Sequence, residues 1–470
     1  WRGAAAALRE QWAEADQEFS KAGAVPATYS PGMQENLGLL KAEAAGRAGD
    51  LTRVRQAIDP LIRAETPFAV RARAEFIRAD ALARRGDKRA ALPIYDRLAE
   101  SDDLWARAHA EYARVILRSA MRPEEGGISP AVAIDRLEQL RFVWSGDKLQ
   151  YDLLRRLGEL QIENGDIRNG LSRLREAVAF FPRNPGNPAI QAKMTDVFAD
   201  LYDPRSKRQL PAVTALSLFD QNRDLIPQGP RGDQLIQNLS DRLVELDLLD
   251  RAGELLQHQI RNRLRGEDKA RVGAKLAFLR LLDKRPADAL RALTESAEPD
   301  LSRILQSDRE HLRARALMEM DKDGEALQVL VGDDSPDAEQ LRSEIYARKQ
   351  DWPMAAVALS KLAGDPNQTP LTEERQRTVL NLAVAYALAN DVASLKKVAQ
   401  SFGPAMETGG NADAFKLVTS APSNTGARPR GPIDQADLTR RFQEAQQFQS
   451  FMTNYSKKLR ESAQPLAAVN

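Results

Sequence analysis

The segment Leu154–Pro182, LRRLGELQIENGDIRNGLSRLREAVAFFP, sets a pattern that the rest of the chain repeats. Its apolar residues recur at three and four positions, which predicts two amphipathic helices of three to four turns. Gly165-Asp166 breaks the pattern midway and supplies a tight turn, since glycine adopts backbone conformations closed to other residues. Gly158 and Gly170 are small enough to let the two helices approach closely. Leu174 then fills the space between this pair and its neighbours, and Pro182 stops the second helix.

The same offsets recur along the sequence: a turn residue, a small or apolar residue five later, an apolar residue nine later. Gly49 leads to Val54 and Ile58, and Gly86 to Ala91 and Tyr95 with Leu98 closing the turn. Asp247 leads to Ala252 and Leu256, Lys284 to Ala289 and Leu293, Asp321 to Ala326 and Leu330, and Gln350 to Ala355 and Leu359. Asn390 leads to Leu395 and Ala399 with large and small exchanged. Tyr346 and Tyr386 stand four residues before their turns. Two units are stretched by inserted loops, pairing Ala106–Leu117 with Ala131–Leu140 and Ile190–Leu201 with Ala212–Arg223. Ala15 and Phe19 place one more turn near Glu10, so Trp1 falls inside a first helix and the expectation is a chain that starts within a repeat of a longer protein. From turn 10 to turn 390 there are ten intervals over 380 residues, averaging 38.

This spacing resembles the tetratricopeptide repeat, whose period is roughly 34 residues. The resemblance covers about 400 residues and is strongest around Gly86, Gly165, Asp321 and Gln350. It implies an all-α fold: a right-handed α-α superhelix, a solenoid of about ten or eleven helical hairpins over residues 1–400, with long or irregular units. In this family the first helix of each pair lines the concave face. Transferred to this chain, that nominates Asp152, Arg155, Glu159 and Ile162 in the Gly165 unit, and Phe76 and Asp80 in the Gly86 unit. It also nominates Phe278 and Leu281, His311 and Arg315, and Gln340 and Glu344 in the next units. Chaperone-type members hold a peptide's terminal carboxylate with a Lys/Asn cluster at such positions. Here Arg155 stands beside Glu159, Phe76 beside Asp80 and Gln340 beside Glu344, so that clamp is missing. The mixed-charge groove suits a folded partner or an extended internal segment, unless it is partly filled by the chain's own residues around Ala414–Thr419.

After residue 401 the composition changes. SFGPAMETGG and TSAPSNTGARPRGP are rich in Gly, Pro, Ser and Thr, which predicts a flexible linker over 401–433. From 434 to 461, Leu438, Phe442, Ala445, Phe448, Met452, Tyr455 and Leu459 alternate by three and four, forming one apolar stripe. Such a C-terminal amphipathic helix either caps the open end of the solenoid or docks on another chain. Phe442, Phe448, Phe451 and Met452 are its candidate contact residues, and 462–470 reads as a disordered tail.

Few residues of the chain are patterned for chemistry. The chain has no cysteine, which removes disulfides, thiolate metal sites and cysteine nucleophiles. Its three histidines, His109, His258 and His311, are far apart in sequence. Ser394-Leu-Lys-Lys397 matches SxxK without the partner motifs of serine acylases. Asp333, Ser335, Asp337 and Glu344 have calcium-loop spacing, but Ala338 occupies the position that needs glycine. Lys+Arg 68 balances Asp+Glu 67, and aromatics are only 6%, so no basic, aromatic-laced surface for nucleic acid is expected. The most apolar stretch, Val379–Ala389, is about half the length of a membrane span.

These features predict a non-catalytic scaffold for protein–protein interaction, with no cofactor and no metal, whose partners sit on the concave face, on the terminal helix or on both. Arg-rich, Ala-rich, cysteine-free usage points to a bacterial, envelope-associated or periplasmic assembly (motor, secretion or cell-wall machinery), with a membrane-anchored complex among the expected partners and the cytoplasm as the alternative. The other readings left open are the interaction region of an enzyme whose catalytic domain precedes Trp1, and a peptide-binding assembly chaperone.

Overall fold

The computed structural model describes residues 1–367, 370–407 and 410–420. Among them lie twenty-three α-helices and no strand. The chain forms two compact units, Trp1–Phe198 and Ala199–Asn470, dividing inside the helix Asn187–Asp200. Eleven successive helix pairs run from Arg2–Leu8 with Trp12–Ala22 to Glu373–Leu388 with Val392–Met406. The two stretched units comprise Leu104–Ser119 with Pro130–Val143, and Asn187–Asp200 followed by Ala212–Gln221.

The turns follow one local rule. Glu10, Gly49, Gly86, Gly165, Asp247, Lys284, Asp321, Gln350 and Asn390 all have positive φ, between 54° and 91°. A left-handed residue after a helix lets the next N–H reach back five residues to a carbonyl that would otherwise be orphaned. That bond is present from Asp87 to Leu82, Asp166 to Gln161, Asp351 to Tyr346 and Asp391 to Tyr386, at 2.8–3.0 Å. The same aspartates, with Asp50, then turn their carboxylates onto the N–H three residues ahead and cap the second helix. One residue therefore closes the first helix and opens the second.

Inside the Gly165 pair the small residues act as the spacing predicts. A Cβ on Gly158 would stand 2.8 Å from the Gly170 carbonyl oxygen and 2.9 Å from Leu174, and one on Gly170 would meet Ile162 at 2.5 Å. Leu174 is fully buried between them.

One boundary is corrected. The residues from 401 do not begin a linker: the helix Val392–Met406 continues through them, Pro404 included, and Ala412–Thr419 forms a further helix. Phe402, Met406, Phe415 and Val418 share one apolar core with Leu382, Leu395 and Val398. The segment 414–419 therefore packs on the last helix pair instead of filling a groove, and it covers that pair's outer apolar face. The remainder of the expected linker, the helix over 434–461 with Phe442, Phe448, Phe451 and Met452, and the tail lie outside the described residues. Among the described residues no helix is long and apolar enough to cross a membrane.

Candidate interaction surfaces

Four half-buried rings run across two successive hairpins of the first unit. Phe76, on helix Phe68–Arg84, stands edge-on to Trp105 at 5.5 Å and to His109 at 5.9 Å between ring centres. His109 stacks on Trp105 at 4.0 Å and meets Trp144 edge-on at 5.2 Å. Trp105 and His109 lie four residues apart on helix Leu104–Ser119, hence on one face. Arg73 lies over the Trp105 ring at 5.1 Å, a cation–π contact. Asp147 fixes the far end by accepting from Trp144 Nε1 at 2.8 Å while it caps helix Lys148–Glu163. Burial holds the His109 imidazole below its usual pKa, against the opposing pull of the Trp105 carbonyl and Asp147.

Beyond Trp144 the row becomes ionic. Asp152, Arg155 and Glu159 lie along helix Lys148–Glu163, half-buried, with Arg155 3.2 Å from Glu159 and 3.8 Å from Asp152. Glu159 also draws in Arg156 at 3.4 Å and Lys193 at 3.5 Å. Lys148 reaches Asp152 at 3.9 Å and, across the unit, Glu10 at 3.5 Å. Asp80 is taken by Arg84 at 2.7 Å. The five candidates Phe76, Asp80, Asp152, Arg155 and Glu159 thus belong to one unit and remain partly accessible. Ile162 is buried in its hairpin.

The second unit departs from the expected face. Phe278, Leu281, His311, Arg315 and Glu344 are buried, and Gln340 is half-buried. They do not line an open groove. Adjacent first helices lie against one another here, so the register expected to face a partner meets the neighbouring helix. Arg315 donates to Glu344 at 2.5 Å, and Gln340 donates to the other carboxylate oxygen at 3.1 Å. Burial nonetheless pushes the Glu344 carboxyl up to about 7, outweighing the Arg315 charge.

His311 is covered by the loop that follows the next helix. Its Nε2 stands 2.8 Å from Asp333, with Ser307 and Ser335 hydroxyls at 3.3 and 3.4 Å. Burial alone would raise the Asp333 carboxyl, but hydrogen bonds from Ser335, Ser307 and His311 hold it well below the usual range. Serine, histidine and aspartate meet here without the order that nucleophilic catalysis needs. Both hydroxyls and the carboxylate converge on the same ring nitrogen, so the imidazole cannot relay a proton between them. The calcium-loop spacing is dispersed as well, since Glu344 is committed to Arg315. Among the described residues no group of acidic or histidine side chains is placed to hold a metal.

Trp105, His109 and Trp144 escaped the repeat pattern because the inserted loop of their hairpin hides its register. The available signal was the four-residue spacing of an aromatic and a histidine.

No protein-family profile and no curated protein matches the chain. Among solved structures, a chain of the APC/C hetero-tetramer Cut9–Hcn1 aligns over 94% of this chain and 95% of its own at 12% identity, with a TM-score of 0.27. A chain of Naa15/Naa10 bound to HypK-THB covers 88% of this chain and 69% of its own at 14% identity and a TM-score of 0.18. A circular tandem repeat protein covers 96% and 89% at 12% identity and a TM-score of 0.11. Those scores describe alignments without superposition, so the fold rests on the hairpins themselves. Left-handed turn, small-residue contact and filling leucine at recurring offsets make this chain a tetratricopeptide-like array of helical hairpins.

Proposed function

We propose that the chain is a protein-interaction scaffold whose first unit holds a partner on the row Phe76, Trp105, His109 and Trp144. The observation that carries this reading is the row itself: partly accessible aromatic rings, fixed by one another and by Asp147, beside charges that already neutralise each other. Pre-ordered aromatic side chains supply contact area at low entropic cost. Asp152 and Glu159 already engage Lys148, Arg155, Arg156 and Lys193, so the row presents no uncommitted cationic patch, which favours an apolar or mixed segment of a protein over an anionic polymer.

The stripe over 434–461 is the second proposed contact. The array's last helix pair is already covered by Phe415 and Val418, so a capping role for the stripe is not required there. The residue usage noted above supports placing the assembly at a bacterial envelope.

Crosslinking with mass spectrometry on the native complex tests the reading, comparing the intact chain, a chain ending at Arg430, and Phe76→Ala with Trp105→Ala. Loss of crosslinks from one dominant partner in the aromatic variant supports the row as the contact. Unchanged crosslinks in that variant remove it.

A further inference from the structure

The large apolar side chains exposed in the first unit are not scattered. Trp1, Met33, Phe68 and Leu104 stand at or within the first turn of first helices, and Phe142, Val143 and Phe180 stand in the last turn of second helices. Both positions fall at the open end of a hairpin. Seven of the unit's nine exposed large apolar residues therefore line one edge, Leu8 and Val132 being the exceptions. Phe142 and Phe180 are 78% and 61% exposed, more than solvation of a monomer favours for rings of that size.

The same edge carries a cleft of about 560 Å³ floored by Ile62, Ala72 and Leu98. On its wall the Arg71 guanidinium leans over the Phe68 ring at 5.9 Å, and its Nε is shielded from solvent without a hydrogen-bond partner. Among the described residues no carboxylate lies within ion-pair distance of Arg71. Glu100 and Asp102 line the same cleft, exposed and without a cationic partner among those residues. The edge thus holds an unmatched cation and unmatched carboxylates side by side among apolar side chains.

We propose that this edge is a twofold interface between two copies of the chain, in which Arg71 of each copy pairs with Glu100 and Asp102 of the other. In a twofold contact the same surface must supply both halves of every pair, and this one does. A partner or membrane of one charge sign would meet like charge at one of the two positions. Phe68, Phe142 and Phe180 expose half or more of their surface, contributing about 300 Å² per copy at roughly 150–250 Å² per ring. Those rings supply under half of the ~800 Å² per partner of a stable interface, and the cleft walls with Trp1, Met33, Leu104 and Val143 on the same edge supply further area. The inference does not depend on the partner proposed for the aromatic row.

Sedimentation and light scattering of the purified chain between about 1 and 100 μM give the test. The intact chain and a chain ending at Arg430 should both dimerise. Phe142→Asp with Phe180→Asp should give a folded monomer, checked by circular dichroism. Arg71→Glu should weaken association by roughly tenfold, and adding Glu100→Arg with Asp102→Arg should restore it. These surface charge variants keep the test decisive if the phenylalanine variant unfolds. A monomeric intact chain, loss of the dimer on truncation at Arg430, or a triple charge variant no tighter than Arg71→Glu overturns the proposal.

Discussion

Arg315 and Glu344 occupy the same register on consecutive first helices, one residue after Ala314 and Ser343, and their side chains meet 2.5 Å apart with both buried. A buried pair is most sensitive to the loss of one member, because the remaining charge keeps its desolvation cost. Glu344→Ala should therefore destabilise the second unit by about 3–5 kcal/mol in urea unfolding, while Arg315→Met with Glu344→Leu recovers most of that. The pair also sets a pH response. With the folded carboxyl near 7 against 4.5 in the open chain, the folded state holds an extra proton between those values. Stability from this site is full below pH 4.5 and declines as pH rises to 7, on the order of 3 kcal/mol at most. Glu344→Gln should flatten that slope.

His109 has the opposite sign. Its imidazole is held below the ordinary value of 6.5 by burial among Phe76, Trp105 and Trp144, so the unfolded chain binds the proton more readily. The first unit should keep this contribution above pH 6.5 and lose it as pH falls through the folded value. Tryptophan fluorescence in a variant with Trp1, Trp12 and Trp352 replaced by Phe, which leaves Trp105 and Trp144, should report the loss, and His109→Gln should abolish this pH dependence.

Six of the nine hairpin turns place a side chain where glycine fits best. Left-handed backbone costs a non-glycine residue about 1–2 kcal/mol, offset in part by the greater freedom glycine gives the unfolded chain. Lys284→Gly and Gln350→Gly should each raise stability by about 0.5–1 kcal/mol, and Gly165→Ala should lower it by about 1 kcal/mol or more. Differential thermal unfolding of the single variants measures both directions.

Gly273 gives the sharpest packing test. A Cβ there would fall 1.8 Å from the Ser296 hydroxyl oxygen, and Ser296 is itself buried and bonded to Arg309. Gly273→Ala should cost at least about 3 kcal/mol, at the upper end of overpacking penalties. Gly46→Ala, with its nearest neighbour the Ala81 methyl at 3.3 Å, should cost under about 1 kcal/mol. Equal effects in chemical denaturation would contradict this packing.

The repeat was legible because its rule is local: a turn residue fixes where a small residue and a leucine must fall, and all of that lies within about fifteen residues. Even Glu10, a poor turn former by type, was recoverable from Ala15 and Phe19. The faces of the second unit were not legible, because Arg315 is buried by a partner 29 residues away and His311 by a loop. The helix Ala412–Thr419 was hidden by Gly403, Pro404 and the glycines that follow Met406. Its apolar residues, Phe415 and Val418, are too few to announce a helix until Phe402 and Met406 are seen beside them.

The aspartate that closes one helix and opens the next has a mechanical consequence. Asp87, Asp166, Asp351 and Asp391 join their helices through a two-residue corner held by backbone and carboxylate together, whereas one hairpin meets the next through side chains alone. Within each unit the corners are stiff and the seams between hairpins compliant. Load or a bound partner would therefore be absorbed as small, shared changes of curvature along a spring, with no hairpin opening.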